Sequence, residues 1–228
     1  MDWFEPVRAY CERGGPGFWD EPANAASNGA FLLAAAAAAY RARAAVPPDR
    51  AGLGLAGLIA VVGAGSFLFH TVAVYWAMLA DVIPIALFIY AYLAVALHRY
   101  LRLAPARVAA ATAGFALFGV ALTPMLDGLT GAAVSDLTNG SIDYLPALLA
   151  LFGVAWATMG SAEERFIGTG RRLAGIGVLF LISLAARTAD RAACAVLPVG
   201  THPAWHVLNA AVLYALVATA VRHREATG

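Results

Sequence analysis

Long apolar stretches separated by short polar connections dominate the pattern of hydrophobic and polar positions along the chain. After a polar stretch at 1–23, apolar runs of about the 20 residues that a bilayer-spanning helix needs follow one another. They predict seven spans, at about 24–43, 51–74, 76–98, 106–126, 141–159, 172–197 and 202–221. We therefore expect an all-α fold, a bundle of seven transmembrane helices. Residues 1–228 would form one domain, with a polar N-terminal cap at 1–23, the helices at 24–221 and a tail at 222–228.

The composition agrees with a membrane protein. Hydrophobic residues make up 61% of the 228 positions and charged residues 13%, against roughly 25% charged residues in soluble domains. The formal net charge of +1 at pH 7 gives no reason to expect nucleic acid as a partner. The sequence has two cysteines, Cys11 and Cys194. They are too few for a four-thiolate metal site but enough for one disulfide in an oxidising compartment.

Arginines mark alternate connections of the predicted bundle. They flank the first, third and fifth connections and the C-terminus, at Arg41, Arg43, Arg50, Arg99, Arg102, Arg107, Arg165, Arg171, Arg172, Arg222 and Arg224. The opposite connections are acidic or nearly uncharged. By the positive-inside rule, we expect the C-terminus in the cytoplasm and the N-terminus outside, in the plasma (inner) membrane of the cell.

Polar side chains recur at helical spacing inside these apolar segments. Ser66 and His70 lie four residues apart in the second segment, and His202 and His206 lie four apart at the start of the seventh. Each pair therefore shares one face of a helix. Asp81 lies early in the third segment, and the predicted topology brings all five residues to the outer half of the membrane. Polar groups in such segments are by default candidates for a functional site.

Three imidazoles on two helices favour a catalytic zinc, which takes three protein ligands and leaves a fourth position for water. Zinc lowers the pKa of bound water to about 7 and polarises a carbonyl, so the predicted reaction is acyl transfer to water. Asp81 would be the general base, and Ser66 would orient the water or steady the oxyanion. Singly, His70 and Ser66 could also form contacts between helices, and Asp81 could reach the interface with water.

Several blocks of the sequence together resemble the alkaline ceramidases. They are Tyr10-Cys11-Glu12-Arg13, Pro16-Gly17-Phe18-Trp19, Glu21-Pro22-Ala23-Asn24, Ser66-Phe67-Leu68-Phe69-His70, Asp81, Asp190 to Cys194 and His202-Pro203-Ala204-Trp205-His206. The resemblance covers nearly the whole chain. It implies a heptahelical membrane hydrolase that uses zinc-bound water to cleave ceramide, or a related N-acyl lipid, to a fatty acid and a sphingoid base.

The resemblance also implies roles for individual residues. The zinc ligands would be His70, His202 and His206. Ser66 and Asp81 would hold and activate the water, and Trp205 would line the substrate pocket. Cys11 and Cys194 would form a disulfide, which agrees with the predicted outer location of both residues.

A calcium site in the N-terminal segment is a further implication of the resemblance, with carboxylates, an amide and a main-chain carbonyl as ligands. Glu12 and Glu21 match two ligand positions, whereas Ala9 and Gly14 stand where an aspartate and an asparagine are expected. Calcium is therefore one of two interpretations. In the other, Glu12 pairs with Arg13 or Arg191 and no ion is bound.

Two other classes of function stay open on the sequence. A heptahelical receptor or sensor could hold a structural zinc, because progestin and adiponectin receptor proteins share the arrangement of serine, aspartate and histidines. The block 11–24 and the predicted outside N-terminus favour a ceramidase. A proton-coupled transporter, with Asp81, Asp190 and the histidines as a relay, has less support, because no internal repeat is evident.

Overall fold

The computed structural model describes residues 2–226, and nine α-helices lie in that range. Their bounds are α1 Pro22–Ser27, α2 Gly29–Ala44, α3 Arg50–Val72, α4 Tyr75–Arg99, α5 Pro105–Thr130, α6 Val134–Leu137, α7 Leu145–Met159, α8 Glu164–Ala193 and α9 His202–Glu225. A 3-10 turn, Ser141–Tyr144, leads into α7. Over these residues β-structure is limited to one isolated bridge between Pro6 and Val74, so the all-α prediction is confirmed.

Within the described residues, six helical segments are long and apolar enough to cross a membrane: α3, α4, α5, α7 with its 3-10 turn, α8 and α9. They match the last six predicted segments. The first segment falls instead on α1 and α2, which meet at Asn28. With 16 residues, α2 is shorter than the roughly 20 residues that a span needs. The count of seven spans and the orientation of the termini stay predictions.

The ends of α8 differ most from the predicted boundaries. The apolar pattern places this segment at 172–197, whereas the helix runs from Glu164 to Ala193. Hydropathy detects only the apolar part of a helix, and the polar first turns of α8 around Arg165 escape it. At the other end, apolar residues continue beyond the end of α8 into the turn before α9. This turn contains Pro198 and Gly200, and Gly200 has a left-handed backbone conformation.

A close contact between α3 and α4 brings polar residues of the two helices together. A Cβ atom on Gly65 would collide with the carbonyl oxygen of Ala80, so only glycine permits this approach of the two backbones. Ser66 and Asp81 follow directly in sequence. The contact therefore places a hydroxyl of α3 beside a carboxylate of α4.

A buried ion pair joins the opposite ends of the same two helices. The Asp49 carboxylate accepts a hydrogen bond from the Gly52 amide at the start of α3 (3.0 Å) and two from the Arg99 guanidinium at the end of α4 (2.7 and 2.8 Å). Burial alone would raise the pKa of Asp49, but the hydrogen bonds from Arg99 and Gly52 and the charges of Arg99 and Arg224 together outweigh burial, and the pKa lies below its ordinary value. The carboxylate therefore stays ionised.

Replacing Asp49 by asparagine is expected to lower the free energy of unfolding by about 3 kcal/mol, because Arg99 loses its carboxylate partner. Since folding lowers the pKa of Asp49, this contribution is complete above about pH 4 and is lost as the pH falls through the lowered pKa. Thermal unfolding in detergent from about pH 3 to about pH 8 measures both effects.

The exposed ion pairs of Glu163 with Arg102 and Arg165 provide the control. Because exposed pairs contribute about 0–1 kcal/mol, Glu163→Gln should leave stability nearly unchanged. An Asp49→Asn protein as stable as the wild type at neutral pH would contradict the role of the buried pair.

Candidate metal centre and active site

Three histidines converge inside the helical bundle. His70 lies in the last turn of α3, and His202 and His206 occupy successive turns at the start of α9. One ring nitrogen from each lies within 4.8 Å of the others. All three side chains are at most 1% exposed. Among residues 2–226, this is the one group of three or more metal-binding side chains that could share an ion.

The ring nitrogens of this cluster fit a metal ion. Nε2 of His70 and Nδ1 of His202 are buried and have no hydrogen-bond partner among the described residues. A buried polar atom without a partner costs about 1–3 kcal/mol, so the cluster is unfavourable unless a ligand binds it. Three imidazoles are also the donor set of a catalytic zinc with one open position. The histidine cluster can therefore hold a metal.

Two of the histidines are fixed through their other ring nitrogen. Nδ1 of His70 lies 2.5 Å from Oε2 of Glu21, and Nδ1 of His206 lies 2.7 Å from Oγ of Ser27. Such contacts set the orientation of a histidine ring and its basicity as a metal ligand. They direct Nε2 of both residues toward the centre of the cluster.

Ser66 and Asp81 lie beside the histidines. Oγ of Ser66 is 3.5 Å from Nε2 of His206, and the Asp81 carboxylate interacts with Ser66 and with His70. Ser66 is 2% exposed and Asp81 8%. Oδ1 of Asp81 has no hydrogen-bond partner in the described part of the chain, so it is available to accept a proton. The structure thus brings the five polar residues singled out by the sequence to one place.

Trp205 lies next to this centre, between aromatic rings. Its ring centroid is 5.2 Å from that of Tyr144 and 6.4 Å from that of Phe180, and the Arg187 guanidinium lies 5.4 Å from its ring. Tyr144 lines two cavities between the helices. One, of about 410 Å³, is also lined by Arg187, and the other, of about 70 Å³, is almost entirely apolar. Trp205 therefore contacts a residue that lines both cavities, but Trp205 itself is not among the described residues that line them.

The N-terminal segment lies against the histidines. The Tyr10 ring stacks on the His202 ring with centroids 3.5 Å apart. Cys11 and Cys194 form a disulfide with Cα atoms 5.3 Å apart, and this bond joins the segment to the end of α8. Burial raises the pKa of the Tyr10 phenol, which therefore stays neutral.

The buried carboxylate of Asp190 ties these parts together. It accepts hydrogen bonds from the amides of Thr201 (2.8 Å) and His202 (2.9 Å), at the start of α9, and from the Cys11 amide (3.1 Å). Asp190 thus satisfies free N–H groups of the helix that carries two of the histidines. The sequence indicates Asp190 as part of a block that carries the family resemblance and as a member of a relay, but not as this cap, because a cap supplied across a loop leaves no local signal.

The two glutamates of the predicted calcium site each have partners within the protein. Glu12 accepts hydrogen bonds from the amides of Ala23 (2.7 Å) and Asn24 (2.8 Å), at the start of α1. Glu21 pairs with Arg13 and His70 and accepts a bond from Asn24 (3.0 Å). Burial alone would raise the pKa of Glu21, but the hydrogen bonds with His70, Arg13 and Asn24 outweigh burial and lower it.

The alternative interpretation of Glu12 needs a correction. Arg13 pairs with Glu21, and Arg191 donates to the carbonyl of Ala9 (3.2 Å), so in the described residues neither forms an ion pair with Glu12. The free N–H groups at the start of α1 are the partners instead.

Ser27 contacts the site but is not among the residues predicted from the sequence. Asn24, Ser27 and Asn28 are spaced as i, i+3 and i+4, so they share one face of a helix at the start of an apolar segment. That pattern is the signal that could have identified Ser27 as a partner of a buried group.

Residues 18–226 match the protein-family model described as Ceramidase. The matched range contains the three histidines, Ser66 and Asp81, while Cys11 and Glu12 precede it. Among curated proteins, none matches the chain.

Proposed function

The chain belongs to the ceramidase family, and on that premise we propose that it is a zinc-dependent intramembrane hydrolase of ceramide or a related N-acyl lipid. The family implies a hydrolase that acts on amide bonds of a lipid substrate. Together with six helices of spanning length and composition, it indicates an integral membrane protein. The observation that carries the finer proposal is the convergence of three buried imidazoles, with two unpartnered ring nitrogens, beside Ser66 and Asp81.

In this proposal, His70, His202 and His206 are the zinc ligands. When bound, zinc supplies a Lewis acid for the amide carbonyl and makes water acidic enough to attack near neutral pH. The protein contributes the orientation of the ligands: Glu21 holds the ring of His70, and Ser27 holds the ring of His206.

Asp81 acts as the general base. Its unpartnered Oδ1 takes a proton from the attacking water while the water oxygen bonds to the amide carbon. Asp81 then returns the proton to the nitrogen as the C–N bond breaks, which releases a fatty acid and the amine of a sphingoid base. The Ser66 hydroxyl donates a hydrogen bond to the carbonyl oxygen as it gains negative charge.

The hydrocarbon chains of the substrate fit the cavities beside the centre. The smaller cavity is lined almost entirely by apolar groups of α4, α7, α8 and α9, and the larger one opens between α4, α5 and α7. Tyr144, which lines both cavities and contacts Trp205, would lie between these cavities and the reacting bond. This arrangement supports a substrate with a long apolar chain.

The proposal includes a heptahelical topology with the N-terminus outside and the C-terminus in the cytoplasm. The shortness of α2 is offset by α1, which precedes it with Asn28 alone between them. The arginines at alternate connections favour this orientation in a plasma (inner) membrane. The active site would then open from the outer half of the bilayer.

Fatty-acid release from a panel of N-acyl lipids, ceramides included, tests the function. The purified protein is expected to release fatty acid from ceramides, to lose this activity after zinc chelation and to recover it when zinc is restored. No release from any lipid by a folded, zinc-loaded protein would contradict the proposal. That outcome would favour a receptor-like protein with a structural metal.

A further inference from the structure

Arg13 is a buried cation at the centre of the N-terminal segment. Its side chain is almost fully enclosed, and all three guanidinium nitrogens have acceptors. Nε donates to Oε1 of Glu21, and Nη1 donates to the carbonyls of Gly15 (3.3 Å) and Gly17 (3.2 Å). Nη2 donates to the carbonyl of His70 (2.8 Å). One side chain thus gathers the loop 13–21 and the end of α3.

The acceptors of Arg13 are hard oxygen atoms, one from a carboxylate and three from main-chain carbonyls. Oxygen atoms of these types are the ligands with which proteins bind calcium. In this chain they surround a guanidinium, whose planar fork of donors can satisfy several acceptors at once. The centre of the segment therefore already holds a positive charge.

The remaining oxygens of Glu12 and Glu21, the two glutamates that match calcium-ligand positions, also have hydrogen-bond partners within the protein. Oε2 of Glu21 lies 2.5 Å from Nδ1 of His70 and accepts a hydrogen bond from the side-chain amide of Asn24. Both oxygens of Glu12 accept hydrogen bonds from main-chain N–H groups at the start of α1. Ala9 and Gly14 offer no side-chain oxygen where the resemblance expects an aspartate and an asparagine. Calcium bound through Glu21 would have to compete with Arg13, so these residues do not fit a calcium ion.

We propose that the Arg13 guanidinium is the built-in cation of the N-terminal segment, in the place that calcium would take, and that Arg13 positions His70. Arg13 reaches His70 by two routes, directly through its carbonyl and through Glu21 to Nδ1 of its ring. The protein is then independent of calcium. The absence of a calcium requirement does not depend on the proposed hydrolase activity, whereas the positioning role rests on His70 as a metal ligand.

A calcium titration tests the first part. The melting temperature of the purified wild type should be the same in a calcium chelator and in millimolar calcium. A calcium site occupied at about 100 times its Kd would instead raise it by roughly 5–10 °C. Stabilisation by calcium, or a destabilisation by the chelator that calcium reverses and zinc does not, would overturn the proposal. Neither measurement requires a substrate, so the result stands whether or not the protein hydrolyses ceramide.

Arg13→Met, which removes the charge but keeps most of the length, tests the built-in cation. The melting temperature is expected to fall by about 10 °C, because Glu21 loses its buried partner. Arg8→Met is the matched control, since Arg8 is an exposed arginine of the same segment and its loss should leave the melting temperature unchanged. If Arg13→Met does not fold, Arg13→Lys keeps the charge without the fork and should show a smaller decrease. Equal melting temperatures for Arg13→Lys and the wild type would count against a specific role of the guanidinium.

Metal binding by the same variants tests the positioning role. Cobalt(II) in place of zinc gives visible absorption bands that report the geometry of the three histidines. Arg13→Met should shift these bands and weaken metal binding by about 10–100-fold, as expected when a contact behind a metal ligand is lost. Arg8→Met should change neither. An unchanged cobalt spectrum together with unchanged affinity would show that Arg13 stabilises the segment without positioning His70.

Discussion

Replacing His206 by alanine is expected to lower amide hydrolysis by more than about 10³-fold, because in the proposed mechanism the metal supplies several kcal/mol of transition-state stabilisation. The His206 ring centroid lies 4.5 Å from that of His202 and 4.8 Å from that of His70. The two remaining imidazoles are too few for a three-ligand zinc site. We therefore also expect the purified variant to contain much less than one zinc ion per chain.

His98→Ala is the control for this variant. His98 is exposed at the end of α4 and lies 3.2 Å from the carbonyl of Leu103, on a different helix from the three clustered histidines. Fatty-acid release and zinc content are measured for both variants and the wild type. If His206→Ala kept its full zinc content and full activity, the assignment of the histidine cluster as the catalytic centre would fail.

The main features of the candidate site could be predicted because they repeat at helical spacing. Ser66 with His70, and His202 with His206, each lie one turn apart on one helix face. Alternating helix directions then bring the end of α3 and the start of α9 to the same side of the bundle. The structure places their ring nitrogens within 4.8 Å of one another. Helical spacing and the alternating direction of the helices are therefore enough to predict that these histidines meet.

The contacts behind the site could not be predicted in the same way. Arg13 binds the carbonyl of His70, Ser27 binds His206, and Asp190 caps α9 across a loop. The spacing of Asn24, Ser27 and Asn28 marks Ser27 as part of a polar helix face. The partners of Arg13, Ser27 and Asp190 are nevertheless fixed by tertiary packing, so no spacing in the sequence identifies any of the three pairs. The charged residues of the N-terminal segment suggested an ordered cap, but only the three-dimensional contacts show what each one binds.

The start of the first predicted span could not be predicted from hydropathy either. Alanine and leucine dominate 30–39 and make one long helix the simplest expectation. The structure divides the segment at Asn28. The side-chain amide of Asn28 donates a hydrogen bond to the main-chain carbonyl of Asn24 (2.9 Å). Asn24 in turn reaches Glu21, and Ser27 reaches His206. Polar contacts with the site thus shape the start of this segment, which hydropathy alone does not reveal.

Replacing Asp81 by asparagine is expected to lower the turnover rate by about 10²–10⁴-fold, the usual contribution of a general base. Asparagine has nearly the same size, so packing of α4 against α3 at Gly65 should persist. Its amide cannot take the proton of the attacking water. Fatty-acid release under single-turnover conditions measures the chemical step. Asp136→Asn, at an exposed carboxylate of α6, is the matched control and should keep wild-type activity.

The zinc content of the Asp81→Asn protein distinguishes catalysis from structure. Because Asp81 is not among the three proposed ligands, the variant should bind zinc as the wild type does while losing hydrolysis. Loss of zinc together with activity would instead show that Asp81 holds the metal site in shape. Full activity with full zinc content would remove Asp81 as the base. The proton would then have to pass to another basic group near the histidines.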